Sequence, residues 1–206
     1  MTQPRLRLAL LVASGLAAAA LLAVLILAAP GQDRSSDRPV RQGFAGALRP
    51  PGVPPRDFAL RDQDGRPASL RAYRGQVVVL TFLYSTCEDT CPLQADQIRG
   101  ALDDVGGDVP ALAVSVDPAR DTPERARAFL LEHRLTGRMR FLLGERAELA
   151  RVWRDYGIQP QGKGFEHSAY VLLVDRAGRQ RIGFPVSRLT PEGLAHDLRL
   201  LAREPA

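Results

Sequence analysis

Residues 76–92 read QVVVLTFLYSTCEDTCP, and this stretch predicts a strand, a turn and the start of a helix. The run 76–84 is almost continuously apolar, which is typical of a strand buried on both faces of a sheet. Pro92 suits the first turn of a helix, and the apolar spacing, which places Leu93 and Ile98 on the buried face, extends that helix to about residue 105. A buried strand followed directly by a helix indicates an α/β fold.

The remainder of the chain alternates strands and helices. We predict further strands at residues 58–60, 109–116, 139–143, 168–174 and 180–184. Asp121, with Pro and Glu following, resembles a capping box and predicts a helix start, while Trp153 and Leu198 lie on the apolar faces of two later helices. The order β-β-α-β-α-β-α-β-β-α predicts an α/β fold with a mixed sheet between helices. Sites in such sheets lie beyond the carboxyl ends of central strands, which is where Cys87 and Cys91 occur.

Composition excludes several classes of protein. The 206 residues include only two cysteines, too few for a disulfide-stapled mini-protein, a four-cysteine zinc site or an iron–sulfur cluster. The net charge of +5 divides into +2 from Arg5 and Arg7 within residues 1–30 and +3 spread over the remainder, which has 26 basic and 23 acidic residues. So small a surplus does not form a basic patch, and we predict no nucleic-acid partner.

Residues 8–29 form an uncharged, apolar segment of 22 residues. As a helix it would be about 33 Å long, enough to cross a hydrocarbon core of about 30 Å. Arg5 and Arg7 precede it, so residues 1–7 are predicted to remain cytoplasmic while everything after the single transmembrane helix is exported to the periplasmic side of the inner membrane. A cleaved signal peptide is the alternative, and both interpretations place the domain where disulfides can form.

Residues 30–56 are rich in Pro, Gly, Arg and Ser and have no apolar periodicity. This composition predicts a flexible linker. The folded domain is therefore predicted to occupy residues 57–206, which are enough to bury one substantial core.

Cys87 and Cys91 are four residues apart at the strand-to-helix turn. Helical spacing would place their Cβ atoms about 5–6 Å apart, wider than the roughly 3.5–4.5 Å of a disulfide. A regular turn therefore favours two thiolates that share a metal, whereas a loosened turn could close a disulfide. A purely stabilising disulfide is disfavoured, because so short a loop restricts the unfolded chain very little.

Two thiolates leave a metal site incomplete, so the three histidines are candidates for a further ligand. His133 falls on the apolar face of a helix, near its C-terminus, and is expected to pack or cap, while His196 is expected to be solvent-exposed. His167 follows a glycine-rich loop and precedes the strand 168–174, so it is the candidate third ligand. Two thiolates and an imidazole suit copper as Cu(I) or Cu(II); zinc would accept the same ligands, but no acid or base for zinc hydrolysis is evident.

Three motifs together resemble the Sco/SenC family: TCEDTCP at 86–92, SVDP with RDTP at 115–123, and EHS at 166–168. Members are membrane-tethered, thioredoxin-like copper proteins that help to assemble cytochrome c oxidase. The resemblance implies that Cys87, Cys91 and His167 bind copper. Glu88 stands where the family usually has proline, and Glu166 where it commonly has aspartate.

The leading hypothesis is a metallochaperone, rather than an enzyme, that binds one copper per domain and passes it to the dinuclear copper site of a cytochrome c oxidase subunit. The alternative is a thiol–disulfide oxidoreductase in which Cys87 and Cys91 form a redox-active disulfide that keeps the oxidase cysteines reduced. His167 would not be essential to that activity. Other copper chaperones or thiol reductants are further possible partners, and a peroxiredoxin-like peroxidase matches poorly.

Overall fold

A computed structural model describes residues 43–50, 53, 56–160 and 169–204, all within the unit Val40–Ala206. In these residues one mixed sheet of eight strands has the order β1-β8-β7-β4-β5-β6-β2-β3. The strands β4, β5 and β6 are parallel, and the other pairings are antiparallel. The strands are β1 Ala47–Leu48, β2 Leu60–Asp62, β3 Pro67–Ala68, β4 Val78–Leu83, β5 Ala111–Ser115, β6 Met139–Leu143, β7 Tyr170–Val174 and β8 Gln180–Pro185.

Helices follow the strands in the predicted order. They are α1 Thr90–Val105, α2 Pro123–Glu132, α3 Arg146–Tyr156 and α4 Pro191–Arg203, with short 3₁₀ turns at Leu70–Tyr73 and Val186–Arg188. The predicted cap of α2 is wrong by one residue. Thr122, not Asp121, caps the helix by accepting from the Arg125 amide, because Asp121 is directed elsewhere.

The core lies on both faces of the sheet. Along β4, Val79 and Leu83 face a cluster that includes residues of α1, α2 and α4, whereas Leu80 and Phe82 face a cluster that includes α3. This alternation within a fully buried strand confirms the predicted two-sided burial. One predicted core position is wrong: Leu93 is 49% exposed, because it lies on the outer side of the first turn of α1.

The predicted transmembrane helix at 8–29 lies outside the described residues. None of the helices within the described ranges combines the length and apolar character that a bilayer span requires.

Part of the predicted linker is attached to the folded unit. Ala47–Leu48 pair antiparallel with β8. Just before them, the amides of Ala45 and Gly46 donate to the carboxylate of Asp197 on α4, at 2.7 and 2.9 Å. Asp197 is fully buried, and burial raises the pKa of its carboxyl although the two amides oppose this shift. A carboxylate that accepts two backbone amides thus fastens the chain before β1 to the last helix.

We predict that Asp197→Asn lowers the free energy of unfolding by about 1–3 kcal/mol, because the asparagine amide cannot accept from one of the two backbone N–H groups. Urea unfolding measures the loss, and hydrogen exchange should show faster exchange at Ala45 and Gly46. His196→Ala, which removes an exposed contact to the Gly43 carbonyl at 3.2 Å, is the neighbouring control. Equal exchange rates in the wild type and Asp197→Asn would contradict the role of this carboxylate.

Candidate metal centre

The two cysteines lie at the carboxyl end of β4, as predicted from the strand-to-helix connection. Cys87 is in the turn after the strand, where its amide donates to the Tyr84 carbonyl at 3.3 Å. Cys91 is the second residue of α1. The segment after the parallel neighbour β5 leaves the sheet at the same edge, so the loop 116–122 lies beside the cysteine turn.

Both cysteines are buried thiols, and no disulfide joins them. The backbone amide of Cys91 donates to Cys87 Sγ at 3.4 Å. Asp89, the N-cap residue of α1, makes no side-chain capping bond, so the sulfur of Cys87 accepts one of the amides that a helix leaves unpaired at its start. The positive end of the helix dipole stabilises negative charge on that sulfur.

The two thiols form a coupled pair. A hydrogen bond with Cys87 and burial together raise the pKa of Cys91 well above that of a solvated thiol. Cys91, which is completely buried, is therefore a protonated thiol in the reduced protein.

An aromatic ring and two charges border this site. The guanidinium of Arg120 lies 5.4 Å from the centre of the Tyr84 ring and forms an ion pair with Asp117. Burial and the nearby Cys87 raise the pKa of the Tyr84 phenol, so Tyr84 is neutral. Glu88 and Asp89 are exposed in the cysteine turn, which brings acidic side chains to this edge.

Buried polar side chains connect the cysteine helix to the sheet. Gln94, one turn after Cys91, donates to Thr81 Oγ1 and to the carbonyl of Tyr170 at 3.2 Å. The Thr81 hydroxyl also contacts that carbonyl, at 3.2 Å. Since Tyr170 begins β7, α1 is joined to β4 and β7 directly behind the thiols. Gln94 and Thr81 are not among the predicted site residues, although a polar residue within an apolar pattern is the signal that each of them offers.

The histidines occupy three different situations. His167 lies outside the described residues, so its predicted role as third ligand stays a prediction. His133 is buried as expected: it ends α2 and contacts Asp96 at 3.1 Å. His196 is half-buried rather than fully exposed, because it contacts the Gly43 carbonyl. Within the described ranges, no group of three or more His, Cys, Asp or Glu side chains could hold a metal ion.

Comparison with known proteins agrees with this fold. The sequence model of the SCO1/SenC family matches residues 50–203. The chain belongs to the SCO1/SenC family. Bovine mitochondrial SCO2 homolog is 30% identical over 165 residues, which are 76% of this chain and 58% of that protein. The chain spans about half the length of the curated relatives it matches.

Solved structures show the same fold. Copper-bound ScoI of Bradyrhizobium japonicum is 32% identical, with a TM-score of 0.61, over 71% of this chain and 98% of that one. BsSco, described as having a disulfide switch and as a member of the Sco family of cytochrome c oxidase assembly proteins, is 22% identical, with a TM-score of 0.62, over 73% and 94%. The mixed sheet with flanking helices is therefore the thioredoxin-like Sco fold.

We predict that Cys87→Ala destabilises the reduced, metal-free protein by about 1 kcal/mol more than Cys87→Ser, because the serine oxygen can still cap α1. Burial alone predicts the opposite order, since alanine is the more apolar residue. Urea unfolding of both variants under reducing conditions, with a copper chelator present, decides the order. An alanine variant at least as stable as the serine variant would exclude the capping role.

Proposed function

We propose that this protein binds copper through Cys87, Cys91 and His167 and passes it to the dinuclear copper site of cytochrome c oxidase. The observation that carries the proposal is the pair of adjacent buried thiols at the start of α1, in which the Cys87 sulfur accepts the Cys91 amide. Copper is the cargo in this proposal, one ion per domain.

The donor set fits copper by its chemistry. Thiolates are soft ligands that select Cu(I), and imidazole also suits Cu(II). The helix N-terminus stabilises the negative charge of the thiolates, and metal binding would release the proton that Cys91 retains. Cys87 is 8% exposed and Cys91 is completely buried, so Cys87 is the cysteine nearer the surface, and in this proposal its sulfur is the one that exchanges ligands with a partner.

Relatives support the choice of metal and partner. The ScoI relative was solved with copper bound, and the family of BsSco is that of oxidase assembly proteins. His167, in the EHS motif, is the proposed third ligand. It is three residues before Tyr170, which begins the strand β7 that Gln94 joins to the cysteine helix.

A second function is favoured by the same pair of thiols. As a thiol–disulfide oxidoreductase, the protein would transfer two electrons to a disulfide in the oxidase subunit, which becomes two thiols while Cys87 and Cys91 form a disulfide and release their protons to it. The geometry supports this activity, because the two cysteines are adjacent thiols that no disulfide joins, with the Cys91 amide 3.4 Å from the Cys87 sulfur.

The proposed location follows from the N-terminal sequence. Residues 1–7 would remain in the cytoplasm and 8–29 would anchor the chain in the inner membrane. The linker, within residues 30–56, would then carry the domain, predicted at 57–206, on the periplasmic side. This arrangement would place the thiols in the compartment where the oxidase copper site is assembled.

We predict that the reduced protein binds one Cu(I), and that Cys87→Ser, Cys91→Ser and His167→Ala each weaken binding at least about tenfold. We expect at least this loss because mutating even a residue that only hydrogen-bonds to a metal ligand typically lowers metal affinity by about tenfold or more. Competition with a colorimetric Cu(I) chelator measures the affinities.

His196→Ala is the matched histidine control and should bind copper as the wild type does. A Cys87→Ser variant that retains wild-type affinity would exclude the proposed site. His167→Ala also separates the two functions: disulfide reduction should survive this change, whereas copper retention should fall.

We predict that the full chain stays in the membrane fraction after alkaline carbonate extraction, because a 22-residue apolar helix is not displaced by charge or pH. Intact mass should include residues 8–29, and protease added outside spheroplasts should remove the domain. A mature chain that begins near residue 30 would instead favour the cleaved signal peptide.

A further inference from the structure

The segment 115–123 contains a buried carboxylate that the proposed copper site does not use. Asp121 is 8% exposed and lies beside the cysteine turn. Its Oδ1 accepts from the Ser85 amide at 2.7 Å and from the Ser85 hydroxyl at 2.6 Å, and its Oδ2 accepts from the Ser115 hydroxyl. Ser85 is two residues before Cys87, and Ser115 is the last residue of β5.

The direction of these bonds is determined by their neighbours. The Ser115 hydroxyl accepts from the Asp117 amide at 3.2 Å, so its own proton is left for Asp121. The Ser115 carbonyl accepts from Trp153 Nε1 at 2.9 Å, which fixes the end of β5 against α3. Asp121 therefore connects the cysteine turn to Ser115 at the end of β5, which is itself bonded to α3.

In the part of the chain that the structure describes, the Asp121 carboxylate binds hydrogen-bond donors of Ser85 and Ser115 and not a cation. Among the described residues no ion pair joins it, and the adjacent Arg120 pairs with Asp117 instead. Burying a carboxylate without a cation is unfavourable unless it is well hydrogen-bonded, and here three donors offset the cost.

We propose that Asp121 is a positioning residue that fixes the spacing of the two thiols by holding Ser85. The proposal rests on the proposed function of the cysteine pair. Ser85 lies within the turn that is closed by the hydrogen bond from the Cys87 amide to the Tyr84 carbonyl. Holding Ser85 in place therefore also holds the Cys87 sulfur at the start of α1, where it accepts the Cys91 amide. In this arrangement the pair is ready to bind a metal. A loosened turn lets the sulfurs approach and form a disulfide.

Asp121→Asn tests the proposal, with Asp197→Asn as a matched control. Both aspartates are buried. Asp121 accepts two hydrogen bonds from Ser85 in the cysteine turn, whereas Asp197 accepts two from the amides of residues 45 and 46, away from that turn. In Asp121→Asn the NH₂ group replaces one carboxylate oxygen. It cannot accept a hydrogen bond from the Ser115 hydroxyl or, in the opposite orientation of the amide, from Ser85.

The first measurement uses metal-free protein equilibrated with glutathione. Two protein thiols and one oxidised glutathione give the protein disulfide and two reduced glutathiones. Asp121→Asn should shift this equilibrium toward the disulfide about tenfold, which is about 30 mV for two electrons, while Asp197→Asn stays within about twofold of wild type. A twofold or smaller change in Asp121→Asn, or an equal shift in both variants, would overturn the proposal.

The second measurement is Cu(I) affinity by chelator competition on the same proteins. We expect Asp121→Asn to bind about tenfold more weakly, because the two sulfurs are no longer held at a fixed spacing before binding, whereas Asp197→Asn binds as the wild type does. If the wild type binds no copper, the proposed function fails, and the glutathione equilibrium still decides the role of Asp121.

Ser85→Ala covers the case in which Asp121→Asn does not fold. It removes one of the three bonds and keeps the carboxylate and the backbone bond. A shift of about threefold toward the disulfide supports the proposal, and an equilibrium within experimental error of wild type overturns it.

Discussion

The structure depends on the burial of β4, whose six side chains are all removed from water. A strand buried on both faces needs a neighbour on each edge and covering helices on each side, because its polar backbone must be paired. Strands β5 and β7 provide the edges, and the helices provide the cover. No solvent-accessible chemistry can occur along such a strand, so the reactive side chains lie where the chain leaves the sheet.

Buried strands and helix faces could be predicted from the sequence, because their apolar residues recur with a local period. The apolar run of β4 and the apolar face of α3 that includes Trp153 both identify buried residues, and the structure confirms them. The position of Cys87 and Cys91 follows from the same local pattern, since a site at the end of a central strand needs only the strand and the next helix. His167 stays a prediction, made from its place between a glycine-rich loop and a strand and from the motif to which it belongs.

Features that depend on distant residues could not be predicted in this way. Asp121 bonds Ser85 across 36 positions, and Asp197 bonds Ala45 across 152. Asp121 stands directly before a Thr-Pro helix start, where an aspartate is an ordinary cap, so local pattern assigned it the wrong partner. The stretch 43–48 is uncharged and contains the only Phe and the only Leu of the linker, but it is too short to show a period. Its attachment depends on a carboxylate in the last helix, which no local pattern reveals.

The sulfur of Cys87 connects the stability of α1 to the oxidation state of the pair. As a thiolate it is a good acceptor for the Cys91 amide and a counter-charge for the helix N-terminus, at a distance of 3.4 Å. In a disulfide the same atom is neutral and a weak acceptor, so α1 would lose that stabilisation. A thiolate bound to a metal keeps lone pairs that still accept the amide. Helix capping therefore favours the reduced or metal-bound pair over the disulfide, and Asp121 acts in the same direction by holding the turn that places this sulfur.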